Sequence, residues 1–428
     1  MKSARIFWLA AVPVVAIACG GGGGKGGGTG GDGGTESGGS SGGGSSGGGS
    51  SGSGEGGTGE GGSSGGANSV PMTVNSGPSG AAAVDVPFIS ITLCIPGTTT
   101  CQTIDSVSVD TGSTGLRVQA STIGGLALPQ ANASTGSPLA ECYSFADGYT
   151  WGSVRNADVH IGGEVAKNVP LQLIGDPGFT SIPADCSSTG VPENTVADFG
   201  ANALIGINQA IPDCGSYCLS ASGTGSYYSC SGSTCASVGV PIAAQVSNVI
   251  ASFATDNNGA ILELPTIAAA GVVSSTGSLV FGIGTQANNA LGSATVLTVD
   301  ASGNFSTTYN GTVMPTSFLD SGTNSFSFND TAITPCTGAI SGFYCPATTL
   351  SLSAQNKGTA GTTSSVSFSL ESAETLFNTN ATAFDDLGTS GLDNATFDWG
   401  LPFFFGRNVF VAIDGASTPG GNGPYFAY

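Results

Sequence analysis

The stretch VSVDTGS at residues 107–113 has a counterpart in SFLDSGT at residues 317–323. Each consists of an apolar strand end, an aspartate, a small hydroxyl residue, a glycine and a second hydroxyl residue. Each is followed, at a similar distance along the chain, by two apolar residues and a glycine: LIG at 204–206 and FFG at 404–406. One such string arises easily by chance in a chain rich in these residues, but two with matching partners do not. The chain therefore contains one structural unit twice, once in each half.

The repeated aspartates, Asp110 and Asp320, suit a pair of carboxyl groups that share one proton. Two carboxyl groups held about 3 Å apart cannot both ionise, so their pKa values separate. The ionised member can then take a proton from a bound water, while the protonated member polarises a carbonyl oxygen. Such a pair hydrolyses an amide with no histidine, metal or cofactor, and we expect the chain to use none of these.

Four glycines belong to the repeated unit. Gly112 and Gly322 follow the aspartates and let the backbone of each loop approach the other loop. Gly206 and Gly406 end the two partner segments. These positions are expected to be structural parts of one twice-built site.

The hydroxyl residues of the two loops are predicted to orient the aspartates and to join the loops. Ser113 and Thr323 can donate to the outer carboxylate oxygens and fix their plane. Thr111 and Ser321 can cross-link the loops from beneath. The alternative interpretation of either segment alone is a polar β-turn, which the doubled pattern disfavours.

Together with their partner segments, the two loops resemble the active-site loops of pepsin-like aspartic peptidases. The resemblance extends over most of residues 80–428, and YSFADG at 143–148 is similar to the flap hairpin of that family. It implies a mainly β, two-lobed pepsin-like aspartic protease architecture with pseudo-twofold symmetry, with Asp110 and Asp320 as the catalytic pair. Residues 110–118 and 399–408 also resemble an uncharacterised family of bacterial lipoproteins, a domain of unknown function.

The flap and its surroundings depart from the peptidase pattern. The flap position, a tyrosine in the family, falls on Phe145, with Tyr143 and Tyr149 two and four residues away. Arg117 stands where the family has the tryptophan that hydrogen-bonds this tyrosine, and its charge would lower the pKa of nearby carboxyls. Two functions of the cleft therefore remain open: an aspartic endopeptidase, and an inactive relative that binds a peptide or another ligand between its lobes. A third, structural or adhesive role would rest only on the Gly/Ser-rich residues 20–70.

The charge balance excludes several other functions. The chain of 428 residues has 8 Lys and Arg against 28 Asp and Glu, a formal net charge of −20. So few cations cannot neutralise many phosphates, which excludes nucleic acid as a partner. His160 is the single histidine of the sequence and is predicted to have a structural or surface role. His-rich zinc sites are thereby excluded, and histidine-dependent hydrolases are disfavoured.

The first 70 residues are predicted to lie outside the folded part. Lys2, Arg5 and the apolar run at 6–18 form an export signal in residues 1–19, and its end resembles a bacterial lipoprotein processing site with Cys19 as the lipidated residue. An ordinary secretory signal is the alternative. Residues 20–70, almost all Gly, Ser and Thr, are predicted to be a disordered tether. We therefore expect a monomeric lipoprotein of the bacterial cell envelope, anchored in the outer membrane or at the cell surface, with a peptide or protein substrate.

Short alternating apolar runs predict that residues 71–428 are mainly β. Examples are FISITL at 88–93 and VSFSL at 366–370. We expect an N-terminal β lobe over 71–286 and a C-terminal β lobe over 287–428. Helices are predicted over 242–254 and from 373 to 377.

The cysteine count predicts disulfides. Ten cysteines remain after Cys19, an even number that allows five bridges in an exported chain. Local loops favour Cys94–Cys101 and Cys336–Cys345, and Cys142–Cys186 is left over. The other four pair either sequentially or as a nested hairpin, and the nested form is preferred because the separations of four and five residues suit two rungs of a hairpin. A metal site at the Cys-x₃-Cys spacing is the competing interpretation, disfavoured by oxidising export. The four are Cys214, Cys218, Cys230 and Cys235.

Overall fold

The computed structural model describes residues 66–220, 225–391 and 393–428, and this part of the chain is mainly β. The predicted export signal, Cys19 and most of the predicted tether lie outside the described residues. The first strand begins at Ser69, so the end of the predicted tether belongs to the folded part instead. It is ordered because Ser69 and Val70 pair with Val280 and Leu279. No helix among the described residues is long and apolar enough to cross a membrane.

The first lobe is a β-barrel with added strands. The barrel closes in the order β2, β3, β9, β4, β7 and β6, and β6 pairs again with β2. Strands β5, β10 and β11 extend this sheet from β6, and the short β8 pairs with β6 as well. The strands are β1 (Ser69–Val74), β2 (Pro87–Cys94), β3 (Cys101–Asp110), β4 (Thr114–Gln119), β5 (Leu139–Ser144), β6 (Gly148–Ile161), β7 (Glu164–Ile174), β8 (Val191–Pro192), β9 (Ala203–Ile207), β10 (Tyr227–Ser231) and β11 (Thr234–Ser237).

The second half of the chain completes a sheet shared by the two lobes and forms a sheet of its own. The shared part runs β1, β13, β12, β22, β25, β14, and the second sheet runs β19, β18, β15, β16, β21, β17, β20. The strands are β12 (Gly259–Leu264), β13 (Ser275–Phe281), β14 (Val296–Thr298), β15 (Phe305–Tyr309), β16 (Thr312–Leu319), β17 (Phe326–Ser327), β18 (Leu350–Lys357), β19 (Thr363–Leu370), β20 (Gly388–Thr389), β21 (Asp398–Trp399), β22 (Arg407–Ala412), β23 (Ser417–Thr418), β24 (Gly421–Asn422) and β25 (Tyr425–Ala427). The mainly β, two-lobed architecture is confirmed.

Strand alternation builds the core beneath the second lobe's sheet. In β19 the apolar residues Val366, Phe368 and Leu370 are buried, while the serines between them are exposed. Phe397 stacks on Trp399 with ring centroids 4.1 Å apart, and Phe328 stacks on Phe397 at 4.6 Å. Stacked aromatic pairs of this kind add to the energy of burial. This aromatic layer supports the loop that carries Asp320.

Helices are short. They are α1 (Ala184–Ser187), α2 (Val196–Phe199) and α3 (Ala373–Phe377), with 3₁₀ turns at Ala120–Thr122, Gly215–Leu219, Ile242–Ala244, Val249–Ser252, Gly338–Ile340 and Leu401–Phe404. The prediction of a helix at 373–377 is confirmed. The predicted helix over 242–254 is wrong, because the backbone there forms two 3₁₀ turns separated by extended residues. The side chain of Asn248 accepts from the amide of Ile250, and the Tyr227 hydroxyl accepts from the amide of Val246, so side chains replace the bonds of a continuous helix.

The disulfides agree with the prediction in number and differ in part of their pairing. Cys94–Cys101, Cys142–Cys186 and Cys336–Cys345 form as expected. The preferred nested pairing of the other four is wrong. The bridges are sequential: the 3₁₀ turn Gly215–Leu219 brings the Cα atoms of Cys214 and Cys218 within 5.6 Å, and the β10–β11 hairpin places Cys230 opposite Cys235.

Candidate active site

The first aspartate loop is positioned by two parallel strands. Asp110 ends β3, which runs parallel to β9 with Asp110 opposite Gly206. Strand β4 then returns on the other side of β9. A Cβ atom at Gly206 would lie 2.7 Å from the Ser113 hydroxyl oxygen and 2.6 Å from the Thr114 amide nitrogen, so only glycine fits there. Gly206, predicted as a structural glycine of the site, thus lies where β9 meets the first aspartate loop.

The second loop repeats this arrangement with a different glycine. Strand β16 leads into Asp320 and runs parallel to β21, and the Asp320 amide donates to the Trp399 carbonyl. Gly400 is therefore the counterpart of Gly206, and a Cβ atom there would lie 2.1 Å from the Ser325 carbonyl oxygen. The prediction of Gly406 for this role is wrong, since Gly406 turns the chain into β22 with φ +72°. The segment DWG at 398–400 escaped sequence reasoning because Asp398 breaks the apolar pattern.

Two hydroxyl side chains join the loops. The Thr111 hydroxyl donates to the Leu319 carbonyl at 2.9 Å and accepts from the Ser321 amide at 2.9 Å. The Ser321 hydroxyl reciprocates, donating to the Val109 carbonyl at 2.8 Å and accepting from the Thr111 amide at 3.1 Å. Both side chains are buried. The expected cross-link is thus a symmetric set of four hydrogen bonds that fixes one loop against the other.

The two aspartate carboxyls face each other across this cross-link. A Cβ atom at Gly112 would lie 2.6 Å from the Asp320 carboxyl, and one at Gly322 would lie 2.7 Å from Asp110 Oδ1. Any side chain at either glycine would therefore occupy the space of the opposite carboxyl. Both carboxyls are inaccessible to solvent.

The environments of the two carboxyls differ. Burial raises the pKa of Asp110, but the Ser113 hydroxyl and the Gly112 amide, 2.7 Å away, donate to it and oppose the rise. Burial and the neighbouring Asp110 raise the pKa of Asp320 well above its usual range, and Asp398 raises it further. Asp320 is therefore the member that holds the shared proton, and Asp110 is the member that ionises.

Thr323 orients the second carboxyl as Ser113 orients the first. Its hydroxyl lies 2.9 Å from Asp320 Oδ2, and the Gly322 amide donates to Asp320 Oδ1 at 2.8 Å. The same hydroxyl also lies 2.8 Å from Asp398 Oδ2. The first loop has no acidic residue in the place of Asp398, because the register of β3 with β9 puts Leu204 there.

Arg117 lies next to the flap rather than on the aspartates. Its guanidinium donates to Glu141 at 3.0 Å and to Asp213 at 2.9 Å, and all three side chains are buried. It also lies over the Tyr143 ring, 3.3 Å from the ring centroid. Two carboxyls thus neutralise the charge that was expected to act on the aspartates.

We call residues 143–150, at the tip of the β5–β6 hairpin, the flap. Phe145 points into a small core and packs on Phe199, with ring centroids 5.9 Å apart. Tyr149 is buried in a cluster around the Cys142–Cys186 bridge. Tyr143 is partly buried against Arg117. Burial raises the pKa of the Tyr143 hydroxyl, and the nearby Asp110 carboxyl adds to the rise. Of the three predicted flap aromatics, Tyr143 is the one that the fold places toward the aspartates.

A segment that sequence reasoning did not single out covers the flap. Residues 188–193, which we call the strap, contain β8 and pair with the flap through Gly148–Val191 and Tyr149–Pro192. The Glu193 amide donates to the Tyr149 carbonyl at 2.8 Å. The disulfide from Cys142 to Cys186 anchors the start of the strap to β5. This predicted long-range bridge was the sequence feature that could have indicated a segment lying next to the flap.

The two loops and the lobes that carry them identify the class of protein, and comparison with known sequences identifies the family. Two β lobes that each supply one aspartate loop, cross-linked by hydroxyls, form the pepsin-like aspartic protease fold. The chain belongs to the family described as a protein of unknown function, DUF3443, which matches residues 64–428. It is similar to the aspartic proteinase from Irpex lacteus, with 16% identity and a TM-score of 0.43 over 84% of this chain and 96% of that one. No curated protein matches it.

Proposed function

We propose that this protein is an exported aspartic endopeptidase that hydrolyses peptide bonds with a water activated between Asp110 and Asp320. The observation that carries the proposal is the facing pair of buried carboxyls, one from each lobe, each lying against the glycine of the opposite loop. Their pKa values are displaced unequally, as a general acid and a general base require.

Each carboxyl has a definite part in the proposed reaction. Asp110 takes a proton from water as the water oxygen attacks the carbonyl carbon, and Asp320 gives its proton to the carbonyl oxygen. The resulting tetrahedral diol then collapses: the C–N bond breaks, the amide nitrogen takes the proton from Asp110, and a diol hydroxyl returns a proton to Asp320. Ser113 and Thr323 hold the outer carboxyl oxygens throughout. No covalent intermediate forms with the protein.

The test is hydrolysis of a denatured, fluorescently labelled protein by the full chain between pH 3 and 7. We expect Asp110→Asn and Asp320→Asn each to lose activity by at least about 100-fold, since either change removes one of the two proton-transfer roles. The exposed Asp393→Asn is the matched control and should retain activity. A peptide mimic with a hydroxyl in place of the scissile amide should inhibit. Activity that survives in both aspartate variants would refute the proposal.

A second function is favoured by the closed state of the site. Both carboxyls are inaccessible to solvent, and the residue at the family's flap position, Phe145, packs into a core. A protein that binds a peptide or another ligand between the lobes without cleaving it would keep the same scaffold. Calorimetric binding of the hydroxyl mimic without turnover of any peptide would favour this function, and cleavage by the unaltered chain would exclude it.

We also propose that the protein acts as a monomer held in the bacterial cell envelope by a lipid on Cys19. The support is the sequence alone: an apolar signal that ends in Ala-Ile-Ala-Cys and a Gly/Ser-rich tether after it. Metabolic labelling with a radioactive fatty acid should label the protein, and Cys19→Ser should abolish the label and release the protein from the membrane fraction. Label that persists in Cys19→Ser would contradict the anchor.

A further inference from the structure

Asp398 is connected to the paired aspartates through a single hydroxyl group. It lies in β21, opposite Phe318 of β16, which is two residues before Asp320. Its side chain is buried, with 4% of the residue exposed. It reaches the pair through Thr323, whose hydroxyl oxygen is 2.8 Å from Asp398 Oδ2 and 2.9 Å from Asp320 Oδ2.

The proton count of this bridge is fixed by its chemistry. A hydroxyl has one proton to donate, and an ionised carboxylate can only accept. Thr323 therefore donates to one of the two carboxyl oxygens and must accept from the other, because two ionised carboxylates would leave a lone pair facing a lone pair. One carboxyl proton thus resides on Asp320 or Asp398 whenever the bridge is intact.

The charged groups around Asp398 also favour one proton on this bridge. The charged groups that face it are Asp320 on the neighbouring strand end and Asp110 on the opposite loop, both acidic. The antiparallel neighbour on β17 is the uncharged Ser327. Within the described ranges 66–220, 225–391 and 393–428 no cation pairs with Asp398, and its Oδ1 atom has no hydrogen-bond partner. With acidic neighbours and no paired cation, the bridge cannot carry a second negative charge, so Asp320 and Asp398 are not ionised together.

The first lobe provides an internal comparison. Ser113, the counterpart of Thr323, donates to Asp110, and the residue at the place of Asp398 is Leu204. The bridge to a third acid is therefore built into one lobe only. It introduces an asymmetry into a site whose two halves are otherwise alike.

We infer that Asp398 is a positioning residue that, through the Thr323 hydroxyl, keeps the shared proton on the Asp320 side of the pair, so that Asp320 acts as the acid and Asp110 as the base. The inference rests on the proposed peptidase function. Asp398 itself touches neither water nor substrate in this scheme. Removal of its negative charge makes ionisation of Asp320 easier, so the pair loses its proton at lower pH.

The test compares Asp398→Asn with the unaltered chain in two measurements. In the pH dependence of kcat/KM on a peptide, the alkaline limb should move at least about one pH unit lower while the acid limb stays in place. In infrared difference spectra near neutral pH, the variant should lose carbonyl absorption of a protonated carboxyl. Asp393→Asn, on the surface, should change neither. Thr323→Val should shift the alkaline limb as Asp398→Asn does, and Thr323→Ser should restore the original profile.

The outcomes separate the inference from the proposed function. If the unaltered chain cleaves no peptide, the proposed function fails, and the infrared measurement still decides whether Asp398 and its bridge hold a proton. An unchanged alkaline limb in an active Asp398→Asn variant overturns the inference, as does an infrared spectrum identical to that of the unaltered chain. Should Asp398→Asn not fold, Thr323→Val and Thr323→Ser supply the same comparison.

Discussion

The buried carboxyl of Glu193 should make the stability of this protein depend on pH. Glu193 lies at the end of the strap and is 5% exposed. Its carboxyl packs against Gly148 of the flap, where an added Cβ atom would lie 2.7 Å from Glu193 Oε1. Burial raises the pKa of Glu193 to about 9, and the carboxyls of Asp147, to which it is hydrogen-bonded, and Asp198 add to the rise. Its ordinary pKa is 4.5.

The sign and size of the effect follow from these two values. Below pH 4.5 the carboxyl is protonated in both the folded and the unfolded chain, and its contribution to stability is fully present. Between pH 4.5 and 9 the unfolded chain releases the proton and the folded chain keeps it, so the free energy of unfolding falls by about 1.4 kcal/mol per pH unit. From pH 5 to 7 this group alone costs about 3 kcal/mol. The contribution is lost as pH passes the folded value.

Glu193→Gln removes this dependence while retaining the shape of the side chain. The amide cannot ionise, and its NH₂ group can donate to Asp147. Urea unfolding of the full chain, followed by tryptophan fluorescence at several pH values from 5 to 7, should show the variant gaining about 3 kcal/mol relative to the unaltered chain across this interval. The exposed Glu374→Gln should follow the unaltered chain. Parallel pH dependence of the Glu193→Gln and unaltered chains would refute the reasoning.

Three further substitutions test the packing of the site. Thr111→Val removes the hydroxyl that donates to the Leu319 carbonyl and accepts from the Ser321 amide. It should lower the free energy of unfolding, measured with urea, by about 2–4 kcal/mol. Arg117→Met leaves Glu141 and Asp213 buried without their cation, and should cost about 3–5 kcal/mol, measured in the same way. Gly400→Ala forces a Cβ atom against a carbonyl and should lower both the free energy of unfolding, by about 1–3 kcal/mol, and any peptidase activity.

Each of these has a control or a contradicting result. Thr99→Val changes an exposed threonine and should leave the stability unchanged. A loss as large as that of Thr111→Val would show that the loss is not specific to the cross-link. Replacement of Arg117 and both of its acidic partners by apolar residues should recover most of the loss. Gly178→Ala meets nothing nearer than 3.3 Å and should be tolerated, and equal tolerance at Gly400 would contradict the packing argument.

Part of the site could be predicted from the residues alone, because it depends on local pattern. The doubled Asp-hydroxyl-Gly-hydroxyl segments identify both aspartates and imply the close approach seen at Gly112 and Gly322. The alternating runs give a mainly β chain because side chains on a strand point to opposite faces in turn. The ten cysteines that follow Cys19, an even number, were enough to predict five bridges.

The rest was decided by the tertiary structure. Parallel pairing of β16 with β21 selects Gly400 over Gly406 and brings Asp398 next to Thr323, although 75 residues separate them in the chain. The tertiary structure also decided the partners of Arg117. Its charge was expected near the aspartates and is instead paired with Glu141 and Asp213. Sequence pattern reports which residues are available and which strands they can form. Which strands lie side by side, and in what register, depends on contacts across the whole fold, and it is this register that sets the charges around the paired aspartates.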